Sequence, residues 1–238
     1  MNQLPQLTVV MPAFNSVKTI ALSLKSLCNL KNVINFRVVV ADDASTDGTA
    51  SVAKRVAKSC GLQLSVTTHS NNLGGGAARN SAVREAQTES LFCLDSDNLI
   101  EPQSFFRAFA RFAENELDVL AFSDIAYFGK RLRHVKSWRF PGNLAHLRDA
   151  IIDPRIPPAS SGNMFFRRHL WSAVDKYPEN LGSLDAYGFA LRILVKHPIP
   201  VLPGSMYFHR VGHQSYWVRD SSAARREAWR NLMLQTAQ

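Results

Sequence analysis

Leu94-Asp95-Ser96-Asp97-Asn98 sets two carboxylates one residue apart at the end of the apolar run Ser90 to Leu94. The single intervening residue lets the chain turn so that both acids face one cleft. Hard oxygen ligands with open positions suit Mg²⁺ or Mn²⁺ shared with a substrate diphosphate, and such an ion neutralises charge developing on a departing nucleoside diphosphate. The pattern also arises by chance, and a turn leading to a helix capped at Glu101 would use it equally well. A second acidic stretch, Asp42-Asp43-Ala44-Ser45-Thr46-Asp47-Gly48-Thr49, closes the apolar run Phe36 to Ala41. Asp47 or Thr46 can cap the helix that follows. Asp43, ahead of the cap, is left free to accept from a base N–H or a ribose hydroxyl. The third motif, Asn71-Asn72-Leu73-Gly74-Gly75-Gly76-Ala77-Ala78-Arg79-Asn80, is a glycine-rich lead into a helix, where backbone N–H groups can approach a phosphate. Arg79 replaces the last glycine of G-x-G-x-x-G, and no Gly-Lys-Ser/Thr is present, so a dinucleotide dehydrogenase and a P-loop ATPase are both disfavoured. Small residues packing a helix closely, with Arg79 in an ordinary ion pair, would account for it too.

These motifs need a scaffold that brings strand ends together. Leu7 to Met11 reads as a strand, and Val17, Ile20, Ala21, Leu24, Leu27 and Cys28 follow at helical spacing. Phe36 to Ala41 predicts a second strand, and Ala50, Ala53, Val56, Ala57 and Cys60 line a helix stopped by Gly61. The unit repeats with Leu62 to Thr67, Gly75 to Ala86 and Ser90 to Leu94. A helix over 102–114 has proline in its first turn. Alternation of this kind predicts a mostly parallel sheet covered on both faces, with ligands at the carboxyl ends of the strands. Later segments predict strands at Val119 to Tyr127 and Asn163 to Phe166, a helix from Asp185 to Lys196, and short strands near Ile199 and Met206.

The 238 residues, 46% apolar, suffice for one large α/β domain, and no linker or repeat divides them. Neither a leader pattern at residues 1–6 nor an apolar run of about 20 residues is present. Cys28, Cys60 and Cys93 are odd in number and widely spaced, which suggests neither a disulfide framework nor a zinc site and fits a reducing cytoplasm. A formal charge of +9 and a pI near 9.8 imply attraction to an anion without choosing among nucleic acid, phospholipid and phosphorylated small molecules. The densest basic cluster is Lys130, Arg131, Arg133, His134, Lys136 and Arg139. It reads as a solvated loop, or as one closing over a diphosphate.

The order of the motifs is informative where each alone is weak. Val10-Met11-Pro12-Ala13-Phe14-Asn15, then Asp42 to Asp47, then Asn72-x-Gly74 through Ala78-Arg79-Asn80, then Leu94 to Asp97 resembles the family 2 glycosyltransferases of the GT-A fold over roughly the first hundred residues. The resemblance implies an α/β fold of GT-A type in a single domain over 1–238, with a nucleotide-sugar half in 1–100 and an acceptor half in 101–238. It implies that Pro12, Ala13 and Phe14 line the nucleotide and that Asp43 contacts uracil. Arg79 would lie near base and phosphates, Asp95 would face the ribose or a metal-bound water, and Asp97 would bind Mn²⁺ or Mg²⁺ directly.

The second half resembles the family more loosely. Ser160 to Arg168 is similar to its small-residue loop and strand beneath the acceptor. Ser183 to Phe189 is similar to its acidic pair preceding a helix, which makes Asp185 the general base; Leu184 stands where that pair usually has its first acid. Asp185 as a helix N-cap is compatible with that role. Tyr207 to Ser215 resembles a late segment from which His209 or His213 completes the metal shell.

The implied activity is inverting transfer of a sugar from a nucleoside diphosphate, a UDP-sugar by resemblance, to the hydroxyl of a carbohydrate or lipid-linked glycan acceptor in polysaccharide synthesis. The expected setting is cytoplasmic, with peripheral contact at an anionic membrane face. A non-catalytic nucleotide-sugar-binding module and a nucleotidyltransferase are the alternatives. Acidic strand ends argue against nucleic acid as a partner.

Overall fold

The computed structural model describes residues 6–129, 134–139, 164–211 and 227. Its first half alternates as expected: β1 (Leu7–Ala13), α1 (Ile20–Leu27), β2 (Phe36–Asp42), α2 (Thr49–Cys60), β3 (Leu64–Thr68), α3 (Gly75–Glu85), β4 (Ser90–Cys93). There follow β5 (Leu99–Ile100), α4 (Pro102–Glu114), β6 (Val119–Phe128), β7 (His134–Arg139), β8 (Met164–Arg167), α5 (Arg168–Ala173), α6 (Asp185–Lys196) and β9 (Val201–Arg210). The nine strands among the described residues join one sheet in the order β3-β2-β1-β4-β8-β6-β9-β5, with β7 beside β6. β1 to β4 are mutually parallel, β8 runs antiparallel to both β4 and β6, and β9 is parallel to β6.

Strand periodicity splits the interior in two. On β1, Leu7, Val9 and Met11 face one core with Val38 and Val40 of β2, while Val10 faces the other with Val39 and Ala41. The steps β1 to β2 to β3 progress in one direction, so right-handed crossovers put α1 and α2 on the same face. The chain then passes back over β1 to β4, which sends α3 to the opposite face. α4 joins α1 and α2 around Phe105, Phe109 and Phe112, and α5 and α6 join α3. Phe165 of the antiparallel β8 centres an aromatic cluster, its ring centroid 4.7 Å from Phe92, 4.9 Å from Phe105 and 5.6 Å from Phe112.

Helix ends follow the local chemistry. Gly61 adopts φ +64, and Leu62 N–H closes on Ala57 O at 2.9 Å, a glycine stop in the left-handed conformation. Glu101 caps α4 by accepting from Gln103 and Ser104 N–H at 3.2 and 2.6 Å.

Two expectations are overturned. The short strands expected near Ile199 and Met206 are one ten-residue strand, β9, that bulges at Pro203-Gly204. Ser123 N–H donates to Ser205 Oγ at 3.0 Å and Ser205 N–H to Ser123 Oγ at 3.1 Å, so side chains satisfy backbone that the bulge removes from the ladder. Cys28 and Cys60 form a disulfide, with Cα atoms 5.5 Å apart. Because α1 and α2 run the same way on the same face, their carboxyl ends meet, a proximity that a spacing of 32 residues along the chain conceals. The cysteine pattern therefore lends no support to a reducing compartment. Cys93 is buried, which pushes its thiol up to about 12 and leaves it inert.

Candidate active site

The polar motifs meet at the carboxyl ends of β1, β2 and β4. Pro12 and Ala13 end β1, buried and paired with Ala41 and Asp42; Phe14, half-buried, begins the loop beyond. That loop is stitched to the one after β2. Asn15 N–H donates to Ser45 Oγ at 2.9 Å, Thr46 N–H donates to Asn15 Oδ1 at 3.0 Å, and Ser16 N–H donates to Thr49 Oγ1 at 2.8 Å. The N-cap of α2 is Gly48, in the left-handed conformation and without a side-chain bond, and not Asp47 or Thr46; Asp47, one residue ahead, accepts from Thr49 N–H and Val17 N–H, both at 3.0 Å. These bonds hold its carboxyl below the ordinary range even though burial pulls the other way.

Asp43 is not the free acceptor expected. Only 1% exposed, it takes Leu73 N–H on Oδ1 and Gly74 N–H on Oδ2, each at 2.8 Å, while Oδ1 lies 2.7 Å from His69 Nδ1. His69 Nε2 in turn lies 2.8 Å from Ser81 Oγ, so the ring bridges Asp43 to α3. The side chain thus fixes the 70–74 loop ahead of α3. His69 had no signature in the sequence; its role exists only because β3 ends beside β2.

The centre of the site is Arg79. One turn inside α3, its Nη1 donates to Asp185 Oδ2 and its Nη2 to Asp95 Oδ1, both at 2.6 Å. A planar fork joining a carboxylate just past β4 to one on α6 suits arginine and not lysine. Burial opposes the guanidinium charge, but Asp185 and Asp95 more than offset that and raise its pKa well above the usual value. For Asp185, only 3% exposed, burial is the largest influence and pushes the carboxyl above the ordinary aspartate range, with Arg79 and the Ala186 N–H pulling it down. Asp185 is not the N-cap: Leu184 holds that position without a side-chain bond, and Asp185 is the first helical residue. Arg79, expected near base and phosphates, joins Asp95 of the candidate metal motif to the candidate base Asp185.

Gly75 explains how Asp185 comes so close. A Cβ there would overlap Asp185 Oδ2 and lie 2.8 Å from Arg79 Nη1, and one at Gly76 would overlap the Pro178 carbonyl. Gly75→Ala should therefore displace Asp185 and lower turnover at least tenfold with the protein folded, a loss of about 1.4 kcal/mol in the barrier. Steady-state kinetics alongside thermal melting check it; unchanged turnover would show that the cradle does not matter. Asn80, one residue on from Arg79, clamps α3 to the chain ahead of Asp185. Its amide donates to Tyr177 O at 2.9 Å and Glu179 Oε1 at 2.8 Å, and its carbonyl accepts from Trp171 Nε1 and Tyr177 N, both at 3.0 Å. Asn80→Ala strands several buried groups and should cost about 3 kcal/mol in urea unfolding; a loss under about 1 kcal/mol would contradict the clamp.

Asp97 and His209 lie on adjoining segments, because β9 pairs with β5. Arg210 N–H donates to Asn98 Oδ1 and Arg210 Nε to Asp97 O, both at 2.9 Å. The Arg210 guanidinium lies over the Phe128 ring at 4.6 Å, and its buried Nη2 has no hydrogen-bond partner among the described residues. The His209 ring meets Tyr127 edge-on at 5.5 Å. Among the described residues no three His, Cys, Asp or Glu side chains converge as a ready metal cage. His213 and Ser160 to Asn163 lie outside the described residues, as do Lys130, Arg131 and Arg133 of the basic cluster. A partly exposed carboxylate at a strand end, with Asp95 already committed to Arg79 and Asn98, still fits an ion that takes one protein carboxylate and draws its other ligands from a diphosphate and water.

A covered, largely parallel sheet with its polar groups gathered at the strand ends defines an α/β domain of the GT-A type. The chain belongs to glycosyl transferase family 2, whose sequence model matches residues 8–174. It is 29% identical over 205 residues to TarS of Staphylococcus aureus, a poly(ribitol-phosphate) beta-N-acetylglucosaminyltransferase, covering 85% of this chain and 35% of that protein. The chain thus spans about a third of the length of that relative. It is also 29% identical over 103 residues to the putative glycosyltransferase EpsE of Bacillus subtilis, covering 43% of this chain and 37% of that one. Among solved structures, S. aureus TarS 1-349 in complex with UDP-GlcNAc superposes with a TM-score of 0.75 at 25% identity over 96% of this chain and 66% of that one. The mannosyltransferase PcManGT of Pyrobaculum calidifontis, solved with GDP-Man and Mn²⁺, has a TM-score of 0.62 at 22% identity and covers 99% of this chain and 63% of that one. That likeness speaks for the fold alone. Asp185, His209 and His213 fall beyond the segment that the family model matches.

Proposed function

We propose that the chain is a single catalytic domain that transfers a sugar, with inversion, from a UDP-sugar to an acceptor hydroxyl. The observation that carries this reading is the Arg79 bridge, which brings the candidate base Asp185 to the turn that holds the diphosphate motif. Asp185 takes the proton as the acceptor oxygen attacks the anomeric carbon, and the bond to the nucleoside diphosphate breaks with its electrons going to the phosphate. Pro12, Ala13 and Phe14 line the nucleotide, and Asp43 serves the base by fixing the 70–74 loop. Arg210 supports the Asp97 turn, its Nε donating to Asp97 O. Asp97 would hold a Mn²⁺ or Mg²⁺ ion, completed by His209 or His213, and that ion would stabilise the departing charge. The named activity of TarS and the chain's formal charge of +9 both favour an anionic polyol-phosphate or glycan acceptor.

The test is a panel of nucleotide sugars scored by metal-dependent thermal stabilisation and by donor turnover with a polyol-phosphate acceptor. A UDP-sugar should raise the melting temperature only with Mn²⁺ or Mg²⁺, and Asp97→Ala should abolish that dependence. Stabilisation without turnover on any acceptor would favour a binding module instead. A UDP affinity in calorimetry that is unchanged by Asp97→Ala would remove Asp97 from the metal site.

A further inference from the structure

The layer formed by α1, α2 and α4 carries a surface that the donor site does not use. Neither α1 nor α2 contains an aspartate or glutamate. Lys18 ahead of α1, Lys25 within it, Lys31 after it, and Lys54, Arg55 and Lys58 on α2 are all exposed. Arg107 and Arg111 continue the pattern on α4, where Glu114 at the far end is the helix's sole acid. None of these cations is in an ion pair with a described carboxylate. Exposed large apolar side chains lie among them: Leu22 is 38% exposed, Phe106 44%, and Val33, at the rim after α1, 59%. Leu22 sits three residues from Lys25 on α1, so the two share one stripe, with Lys18 in the turn just ahead of it. Lone exposed apolar residues are ordinary, but three of the five among the described residues fall on this one basic layer.

We propose that this helical layer is a docking surface for an anionic lipid bilayer. Cations alone would suit any polyanion. A bilayer also rewards Leu22 and Phe106, which enter the boundary between headgroups and acyl chains while lysine stems lie along them with their charges outward. The Cys28–Cys60 disulfide and the bond from Lys31 Nζ to Cys60 O at 2.6 Å tie the carboxyl ends of α1 and α2 together, so the surface is presented as one unit. The donor site opens at the strand ends, along the rim of this layer and not beneath it, which leaves it accessible on a docked protein.

The experiment is co-sedimentation of the whole chain with vesicles of phosphatidylcholine alone or mixed with phosphatidylglycerol. Binding is expected only to the anionic vesicles and should weaken with salt. Each basic residue near such a surface contributes about fivefold in affinity, so Lys54→Glu/Lys58→Glu should weaken binding by about 25-fold or more. Leu22→Ser/Phe106→Ser should weaken it by about tenfold. Unchanged melting temperatures establish that the variants fold. Equal binding to neutral and anionic vesicles overturns the proposal. So does binding that survives Lys54→Glu/Lys58→Glu but is lost in Arg131→Glu/Arg133→Glu. If soluble polyphosphate binds as tightly as the vesicles, and Leu22→Ser/Phe106→Ser changes neither, the partner is an anionic polymer and the proposal fails.

Discussion

Asp185→Asn is expected to lower kcat by about 10² to 10⁴ while UDP still binds and the fold persists, because a positioned base contributes on that scale and the amide keeps the shape without the proton affinity. The pH profile carries a second signature. Burial holds the Asp185 carboxyl above the ordinary range, and the base works ionised, so kcat falls as pH drops through that raised value. The acid limb should therefore lie above about 3.9, where a free aspartate titrates, and it should vanish in the Asn variant. Stability has a corresponding sign. The unfolded chain ionises Asp185 at lower pH than the folded one, so this residue costs stability as pH rises from about 3.9 through the folded value, and Asn removes that slope. A variant with near wild-type turnover would exclude the role and move attention to Asp175 or Glu179, the nearby described carboxylates, or to Asp153.

Removing Arg79 should do more damage than a lost nucleotide contact. Arg79→Ala leaves Asp185 buried without its partner, and breaking a buried pair from one side costs about 3 to 5 kcal/mol. Turnover should fall as well, since Asp185 and Asp95 lose the fork that sets their spacing. Arg79→Lys should recover little of either, because an ammonium cannot make two coplanar bonds to carboxylates on different elements. Arg79→Met/Asp185→Leu replaces the pair with apolar bulk and should regain much of the stability with no activity. Urea unfolding of wild type and these three variants, with donor KM and kcat for the soluble ones, distinguishes the roles. If Arg79→Ala raised donor KM alone, with stability within about 1 kcal/mol of wild type, the bridge would be incidental and the expected phosphate contact would stand.

Much of this molecule is written locally. Apolar runs at period 2 and helical faces at period 3.6 place the first seven elements, because each depends on neighbours within a few residues. Gly61 stops α2 and Pro102 starts α4 for reasons internal to the backbone. Asp42 to Thr49 and Leu94 to Asn98 fall at strand ends, where a parallel sheet gathers polar groups, so the sequence by itself determines the fold class and the edge of the sheet that holds the site.

Partner choice was decided only by tertiary structure. Asp43 belongs to the 70–74 loop through His69, Leu73 and Gly74; Arg79 belongs to Asp95 and Asp185, the latter 106 residues away along the chain. Cys28 finds Cys60 because two crossovers run in the same direction. β9 continues through Pro203-Gly204 because β6 offers a full edge and Ser123 and Ser205 satisfy the bulge, whereas turn residues read locally break the strand. In each case several partners have equal local merit, and what selects one is the packing of elements far apart in sequence, a quantity that no window of residues contains.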